Sequence, residues 1–187
     1  MSPEVSRGLT FYSAPMSDLE TRGARRSDAE GMAALLEAAW RETYADLLPM
    51  STLQARDFDR DVRDLHELMA SPLPFGATVA LRDGSVVGLS TYGPPNHSDE
   101  PGLIELYAMY VRSTEIGQGA GRRLVLQTLA HARRVGASTL VWFVHAGNTF
   151  VRDRLERRGL TPHAGPLGRQ WYGHAVEVYE YRLNLRT

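Results

Sequence analysis

Hydrophobic residues recur along this chain with two different spacings, and the spacing separates predicted strands from predicted helices. Runs rich in β-branched and aromatic residues indicate strands, as in 103–111. Apolar residues three or four positions apart indicate helices, as with Met32, Leu35 and Ala39. Asp83-Gly84 is a favoured hairpin turn. Strands are predicted at 19–24, 77–82, 86–92, 103–111, 140–144 and 175–183, and helices from 27 onward, at 51–70, from 122 onward and after Asn148.

The order of these elements predicts the class of fold. Read along the chain it is β-α-α-β-β-β-α-β-α-β-β, which is typical of an α/β domain with a mixed, mostly antiparallel sheet. A chain of 187 residues is about one domain and is long enough to bury a core. Residues 1–18 have no sustained pattern, so we expect a flexible N-terminal extension followed by one domain at 19–187.

Composition and charge exclude several functional classes. The net charge is −1, so no overall positive field predicts nucleic acid as a partner. The absence of cysteine excludes disulfides, a thiol nucleophile and cysteine-bound zinc. The histidines lack metal-binding spacing, no apolar run approaches the ~18 residues of a membrane span, and the N-terminus lacks a signal-peptide core. We therefore expect a cytoplasmic protein that binds no metal, no nucleic acid and no membrane.

A glycine-rich turn joins the predicted strand that ends at Val111 to the helix that begins near Arg122. The first amides of a helix lack backbone partners and carry partial positive charge, and glycines let an anionic ligand approach them closely. A dinucleotide fingerprint would need glycine at Arg122, and a triphosphate-binding loop would need lysine there. The sequence predicts a phosphate-bearing ligand, with a simple connecting turn as the alternative. The turn is formed by Gly117, Gln118, Gly119, Ala120 and Gly121.

Two ordered motifs resemble those of the GNAT superfamily of acetyltransferases. The strand end at Val111 and the glycine turn at 117–121 resemble the family's motif A. The strand 140–144, Asn148 and the helix that ends before Gly159-Leu160 resemble its motif B. The element order matches over roughly 19–183, but only 103–160 is specific to the family.

This resemblance implies a single GNAT-fold domain with splayed central strands and acetyl-CoA as the co-substrate of an N-acetyltransferase. The pyrophosphate would lie on the glycine turn and the pantetheine amides on the strand before it. Asn148 would contact the pantetheine arm, or serve only as a helix N-cap. The implied cofactor-binding residues are Met109, Tyr110, Val111, Gly117, Gln118, Gly119, Ala120, Gly121, Arg122 and Asn148.

Glu105 is the candidate general base, because the acceptor amine must lose a proton before it attacks. It lies in a mostly apolar strand, where packing does not favour a carboxylate and burial would raise its pKa. The alternatives are an ion pair with an arginine or an exposed strand end. Strict alternation would place Glu105, Tyr107, Met109 and Val111 on one face.

The usual general acid of the family is missing, because Leu155 stands where many family members have tyrosine. Tyr107 and His145 are the substitutes nearby, and the thiolate could also leave without help. Ile116 is a second departure, since the family usually has arginine or glutamine there.

The acceptor region implied by the family comprises the turn after the first helix and the loop at 94–102. Tyr44 would line the acceptor pocket, and Asp99 and Glu100 would give it an acidic rim that suits a cationic amine. A solvated loop is the alternative. We expect a small-molecule amine as the acceptor, with two alternatives: a catalytically degenerate acetyl-CoA-binding or regulatory domain, and an enzyme that acetylates protein N-termini or lysines. A homodimer is left open.

Overall fold

A computed structural model describes residues 19–186. Their strands and helices follow one another in nearly the predicted order. The expected extension at 1–18 lies outside the described residues. Short 3-10 helices cover 26–28 and 113–115. The strands are β1 (Glu20–Gly23), β2 (Gly76–Arg82), β3 (Ser85–Gly93), β4 (Leu103–Val111), β5 (Thr139–His145), β6 (Ala164–Trp171) and β7 (His174–Asn184), and the helices are α1 (Ala29–Tyr44), α2 (Met50–Gln54), α3 (Phe58–Ala70), α4 (Ala120–Arg134) and α5 (Thr149–Glu156).

The strands form one sheet in the order β1-β2-β3-β4-β5-β7-β6. Every neighbouring pair is antiparallel except β4 and β5, which are parallel. These two central strands pair only through Leu103, Ile104 and Glu105, which meet residues 139–141. Beyond Glu105 the strands are no longer paired and a gap separates them. The structure confirms the predicted mixed, mostly antiparallel sheet with splayed central strands.

Helices cover both faces of the sheet. On one face, Met32 of α1 packs with Val79 and Leu89 of the sheet, and all three side chains are fully buried. On the other face, Leu124 of α4 packs with Val87. Each such buried side chain contributes roughly 1.5–3 kcal/mol, so both layers hold the sheet firmly. No helix among residues 19–186 has the length and apolar character needed to cross a membrane.

A β-bulge interrupts β4 two residues after the candidate base. Tyr92 of β3 pairs with Leu106 and Thr91 pairs with Ala108, so Tyr107 has no partner in the ladder. An extra residue of this kind reverses which face the following side chains point to.

The bulge overturns the predicted shared face of β4. Glu105 shares a cavity with Phe143, which packs on the side of α1. Tyr110 packs on that same side, whereas Val111 packs against α4 on the opposite side. Successive side chains of a strand point to opposite faces. Met109, which precedes Tyr110, therefore lies on the face of Val111 and not on the face of Glu105.

The segment 51–70, predicted as one helix, forms two. α2 ends at Gln54, and α3 begins at Phe58 after Asp57, whose carboxylate accepts a hydrogen bond from the Arg60 amide at 2.7 Å. The helical spacing of apolar residues continues through the break, so periodicity alone did not reveal it.

The element order predicts two strands at the end of the chain, but the sequence pattern gives residue bounds for only the second. The first, β6, contains Gly165, Pro166 and Gly168, which weaken the pattern of a strand. β6 lies at the edge of the sheet beside β7, where proline is tolerated.

Candidate functional site

The gap between β4 and β5 leaves two strand edges free. From Leu106 onward β4 pairs only with β3, and from Trp142 onward β5 pairs only with β7. Backbone groups along such an edge are available to an extended ligand, which would pair with them as an added strand. The predicted cofactor residues Met109, Tyr110 and Val111 lie on this open part of β4.

The glycine turn has the conformation that only glycine adopts easily. Gly117 has a φ of +88° and Gly119 a φ of +95°, and Gly119 is the N-cap of α4. A Cβ added to either residue would meet no other heavy atom within 4 Å. The glycines are therefore required by the backbone rather than by internal packing, and the space beside them is open.

Helix α4 begins with amides that nothing in the described chain caps. Its N-cap supplies no side-chain bond, and the N–H groups of Ala120, Gly121 and Arg122 have no acceptor among residues 19–186. Gln118 differs, because its N–H donates to the carbonyl of Glu115 at 3.2 Å and its side-chain amide donates to a carbonyl one turn earlier at 2.8 Å. Gln118 thus shapes the turn, whereas the three helix amides remain available.

Arg122 and Arg123 both lie exposed at this helix start. Arg123 donates to the carbonyl of Leu19, whereas Arg122 makes no ion pair with any described residue. Ile116, where the family usually has a polar residue, is also exposed. Arg122 is therefore the cation beside the turn that could meet a phosphate.

A groove lies between α1 and residues 112–114, the segment that precedes the glycine turn. Small side chains of the helix, Ala34 and Ala38, form one wall, and residues 112–114 form the other.

Glu105 lies at the point where the central strands separate, since its pairing with Val141 is the last between them. Its side chain is buried, with the residue only 6% exposed, and Oε2 accepts a hydrogen bond from the Asn96 amide at 2.9 Å. Burial raises the pKa of Glu105, while the Asn96 amide and the nearby His97 and Arg169 oppose that rise. A carboxylate in this state takes up a proton more readily than a free glutamate does.

A small cavity opens beside Glu105, and we call it the Glu105 cavity. Its walls come from the loop after β3, from β4 and β5 at the apex of the gap, and from β6 and β7. Charged and aromatic side chains line it, among them Glu105, His97, Phe143, Arg169, Glu180 and Arg182.

Tyr107 keeps its proton in an internal hydrogen bond. Its hydroxyl donates to the carbonyl of Pro94. Burial, and secondarily the charge of Glu105, raises the pKa of Tyr107 to about 12. Tyr107 thus lies near the base but is a poor proton donor.

Tyr44 lies in the interior rather than in the Glu105 cavity. Its ring is 4.5 Å from Trp40, 5.5 Å from Trp171 and 5.8 Å from His145, measured between ring centroids. Tyr44 does not line the Glu105 cavity, because the aromatic cluster buries its ring, and its predicted place in the acceptor pocket stays a prediction.

The Tyr44 hydroxyl instead joins two of the predicted cofactor residues. Burial raises the pKa of Tyr44, and hydrogen bonds with Tyr110 and Asn148 oppose the rise. Asn148 is itself buried, and its Oδ1 accepts from the Val151 amide at 3.2 Å, which confirms it as the N-cap of α5. Tyr44 of α1 therefore lies close to Tyr110 of β4 and to Asn148 at the start of α5.

His145 ends β5 with one ring nitrogen engaged. Its Nδ1 accepts a hydrogen bond from the Gly147 amide at 3.0 Å, so the proton of the neutral ring lies on Nε2. Burial, and secondarily the charge of His174, lowers the pKa of His145. His145 is thus a neutral donor at the far edge of the gap.

Neither Asp99 nor Glu100 lines the Glu105 cavity itself, and the acidic rim stays a prediction. Both are exposed, and Glu100 accepts a hydrogen bond from Arg182 at 2.9 Å. The loop does reach the cavity, but through His97 and Ser98.

Arg169, Glu180 and Arg182 are the cavity residues that the sequence interpretation missed. Arg169 belongs to β6, the strand that was not located. Leu167, Arg169 and Trp171 lie two positions apart, which is the spacing of residues on one face of a strand. The glycines and the proline of the same segment masked this pattern.

Residues 32–160 match the sequence model of the Acetyltransferase (GNAT) family. An uncharacterized N-acetyltransferase of Bacillus subtilis, YuaI, is 27% identical over 132 residues, which are 70% of this chain and 74% of that protein. The mycothiol acetyltransferase of Streptomyces avermitilis is 33% identical over 103 residues, or 54% of this chain. The match spans about a third, 32%, of that relative's length.

Solved structures share the whole architecture. The ribosomal-protein-alanine N-acetyltransferase of Brucella melitensis has a TM-score of 0.70 at 26% identity, over 89% of this chain and 99% of that one. The PaiA N-acetyltransferase of Thermoplasma acidophilum, solved in complex with coenzyme A, has a TM-score of 0.73 at 14% identity, again over 89% of this chain and 99% of the other. The second likeness concerns the fold alone.

Proposed function

This chain belongs to the acetyltransferase (GNAT) family and is an N-acetyltransferase, and we propose that it transfers an acetyl group from acetyl-CoA to a primary amine of a small molecule, with Glu105 as general base. Family membership accounts for the class of reaction. The residues that carry it out and the type of acceptor are the subject of the proposal.

The observation that carries this proposal is the position of Glu105. It is a buried carboxylate beside a cavity, at the last residue pair before β4 and β5 separate. The Asn96 amide holds Oε2, and Oε1 has no hydrogen-bond partner among residues 19–186. Neither alternative that the sequence left open, an ion pair or an exposed strand end, describes this carboxylate.

The residues present fit acetyl-CoA. The turn at 117–121 offers open space and three unpartnered helix amides to a pyrophosphate, and Arg122 adds an exposed positive charge. The free edge of β4 at Met109–Val111 suits the pantetheine amides, and Asn148 lies across the gap from it. Acetyl-CoA supplies the acetyl group as an activated thioester.

Glu105 acts on the acceptor amine. An ammonium loses one proton to the carboxylate, directly or through water, and becomes a nucleophile. The amine nitrogen then bonds to the acetyl carbon as the carbon–sulfur bond breaks, and the nitrogen gives up a second proton. One proton passes to the sulfur, and the products are an N-acetyl amide and the free thiol.

His145 is the better of the two candidates for assisting the departing sulfur. The Tyr107 proton is held by Pro94, whereas Nε2 of His145 has no hydrogen-bond partner among the described residues. A thiol has a pKa of about 8.5, so the thiolate leaving group needs little help. The presence of Leu155 in place of the family's usual tyrosine therefore does not prevent turnover.

A small acceptor suits the Glu105 cavity better than a peptide. The cavity is small and is bounded by the loop at 95–98. The name of the structural relative from Brucella melitensis states that it acetylates an alanine of a ribosomal protein. A protein N-terminus is therefore the second candidate acceptor.

The test is thiol release from acetyl-CoA with a panel of small amines and a peptide that has a free N-terminal alanine, beside calorimetry with coenzyme A. We expect coenzyme A binding together with turnover of one or more small amines. Turnover of the peptide alone would favour the protein-acceptor alternative. Binding without turnover of any amine would overturn the proposal in favour of a degenerate, regulatory domain.

A further inference from the structure

Four charged side chains line the Glu105 cavity, and two of them, Glu180 and Arg182, are paired with each other. Arg182 donates through Nε to Glu180 at 2.5 Å and through a terminal nitrogen to Glu100 at 2.9 Å, which forms a closed network of ion pairs at one wall. Glu105 is assigned to the acceptor amine by the proposed function. The remaining charge is that of Arg169.

Arg169 is a cation without an anionic partner among residues 19–186. Its guanidinium lies 4.9 Å from the centroid of the Phe143 ring, its Nε is buried without a hydrogen bond, and its only hydrogen bond is a 3.4 Å contact from a terminal nitrogen to the carbonyl of Gly168. A guanidinium stays charged at any physiological pH and presents five donors in a fixed plane. Arranged this way in a cavity wall, it is prepared to bind a planar anion.

The size of the cavity and its charges define the ligand that would pair with both Glu105 and Arg169. Arg169 is near enough to Glu105 to act on its charge, so both groups act within one small space. The aromatic face of Phe143 holds the guanidinium from one side, which limits its motion. A ligand that offers an ammonium toward Glu105 and an anion toward Arg169 would pair each charge.

We propose that the acceptor is an amine that also carries a carboxylate, as in an amino acid, with the carboxylate bound by Arg169 and the amine directed to Glu105. This inference rests on the proposed function. A carboxylate matches the two parallel donors of a guanidinium, and such charge-assisted bonds are among the strongest that a binding site offers.

The experiment compares each amino acid with its own carboxamide, which keeps the amine and nearly the same size but has no negative charge. Thiol release with acetyl-CoA gives kcat and KM for both members of a pair. For the protein as it is, we expect kcat/KM to favour the acid on the order of tenfold to a hundredfold. This comparison needs no variant.

Arg169→Met and Arg169→Lys then locate the effect. We expect Arg169→Met to raise KM for the acids on the order of tenfold, with kcat and the carboxamides little changed. Lysine keeps the charge but not the paired donors, so it should restore part of the preference. Arg154→Met is the matched control, because the Arg154 guanidinium lies 4.7 Å over the Phe150 ring on α5, outside the cavity.

The inference is overturned if acids and carboxamides are acetylated equally well, or if Arg169→Met slows both alike, as a structural role predicts. In either case amine acetylation itself would still be observed, so the proposed function would stand. Absence of thiol release with every amine would overturn both together.

Discussion

Two buried carboxylates, Asp28 and Glu105, lie in different halves of this molecule and have opposite surroundings. Asp28 is 8% exposed and accepts two hydrogen bonds from Arg22, at 2.6 and 3.0 Å, and a third from the Arg25 amide at 2.7 Å. Glu105 is equally buried at 6%, but within residues 19–186 it has one hydrogen bond, from the Asn96 amide, and no ion pair.

The pKa values move in opposite directions for this reason. The hydrogen bond from Arg22 lowers the pKa of Asp28 despite its burial, whereas burial dominates at Glu105 and raises its pKa. Asp28 is thus held in its charged form and ties the start of α1 to β1. Glu105 is left able to exchange a proton, which is a property of reactive sites more than of scaffolds.

Replacing Glu105 should give the largest effect. We expect Glu105→Gln to lower turnover at neutral pH on the order of 100-fold or more, because a positioned general base contributes roughly 10²–10⁴. Coenzyme A affinity by calorimetry should hardly change. Asp28→Asn is the matched control, equally buried and outside the Glu105 cavity, and should keep normal turnover per folded molecule. Equal turnover of the wild type and Glu105→Gln at all pH values would remove Glu105 from the mechanism.

The pH dependence of the rate tests the same group without a variant. Below the pKa of Glu105, kcat/KM should rise about tenfold per pH unit, because the carboxylate must be unprotonated to act as a base. The midpoint of this limb should lie above 4.5, the ordinary value for glutamate, because burial raises the pKa. The profile is to be measured with amines of different basicity. A limb that follows the amine's own pKa, instead of staying in place, would contradict the assignment.

The contrast extends to two glycine turns. Gly119 (φ +95°) and Gly84 (φ +75°) both have left-handed backbone and open space around them, but Gly84 lies in the β2–β3 hairpin. Valine at either position should cost roughly 1–3 kcal/mol of stability. Only Gly119→Val should also weaken coenzyme A binding, on the order of tenfold, because it disturbs the amides of α4. The same affinity in both variants would exclude the turn as the phosphate site.

Stability against pH should separate the two carboxylates with opposite signs. Asp28 has a pKa below its unfolded value of 3.8, so its contribution is full above that value and is lost as the pH falls through the folded pKa. Asp28→Asn should therefore cost about 1–3 kcal/mol at neutral pH and less in acid.

Glu105 should behave in the reverse way. Its folded pKa lies above 4.5, so its ionisation destabilises the fold as the pH rises through the folded pKa. Glu105→Gln should then be slightly more stable than the wild type at neutral pH, with the difference fading in acid. Urea unfolding of both variants at several pH values measures the two free energies of unfolding. If both substitutions changed the free energy of unfolding in the same direction at neutral pH, the two carboxylates would not differ as described.

The sequence alone determined the features that depend on neighbouring residues. The period of apolar positions identified most strands and helices, since backbone geometry imposes that period locally. The spacing from Val111 through the glycine turn to α4 indicated an anion site, because helix amides and glycine conformation are local properties. The candidate role of Glu105 came from a carboxylate placed in an apolar strand.

Tertiary structure decided which of these residues meet. The bulge at Tyr107 arises from the pairing of β4 with β3, and it turned Val111 away from the face of Glu105. Tyr44 became part of an aromatic core, and Arg169 reached the Glu105 cavity from a strand 64 positions along the chain. Strand pairing and packing join residues far apart in the chain, so no local period records them.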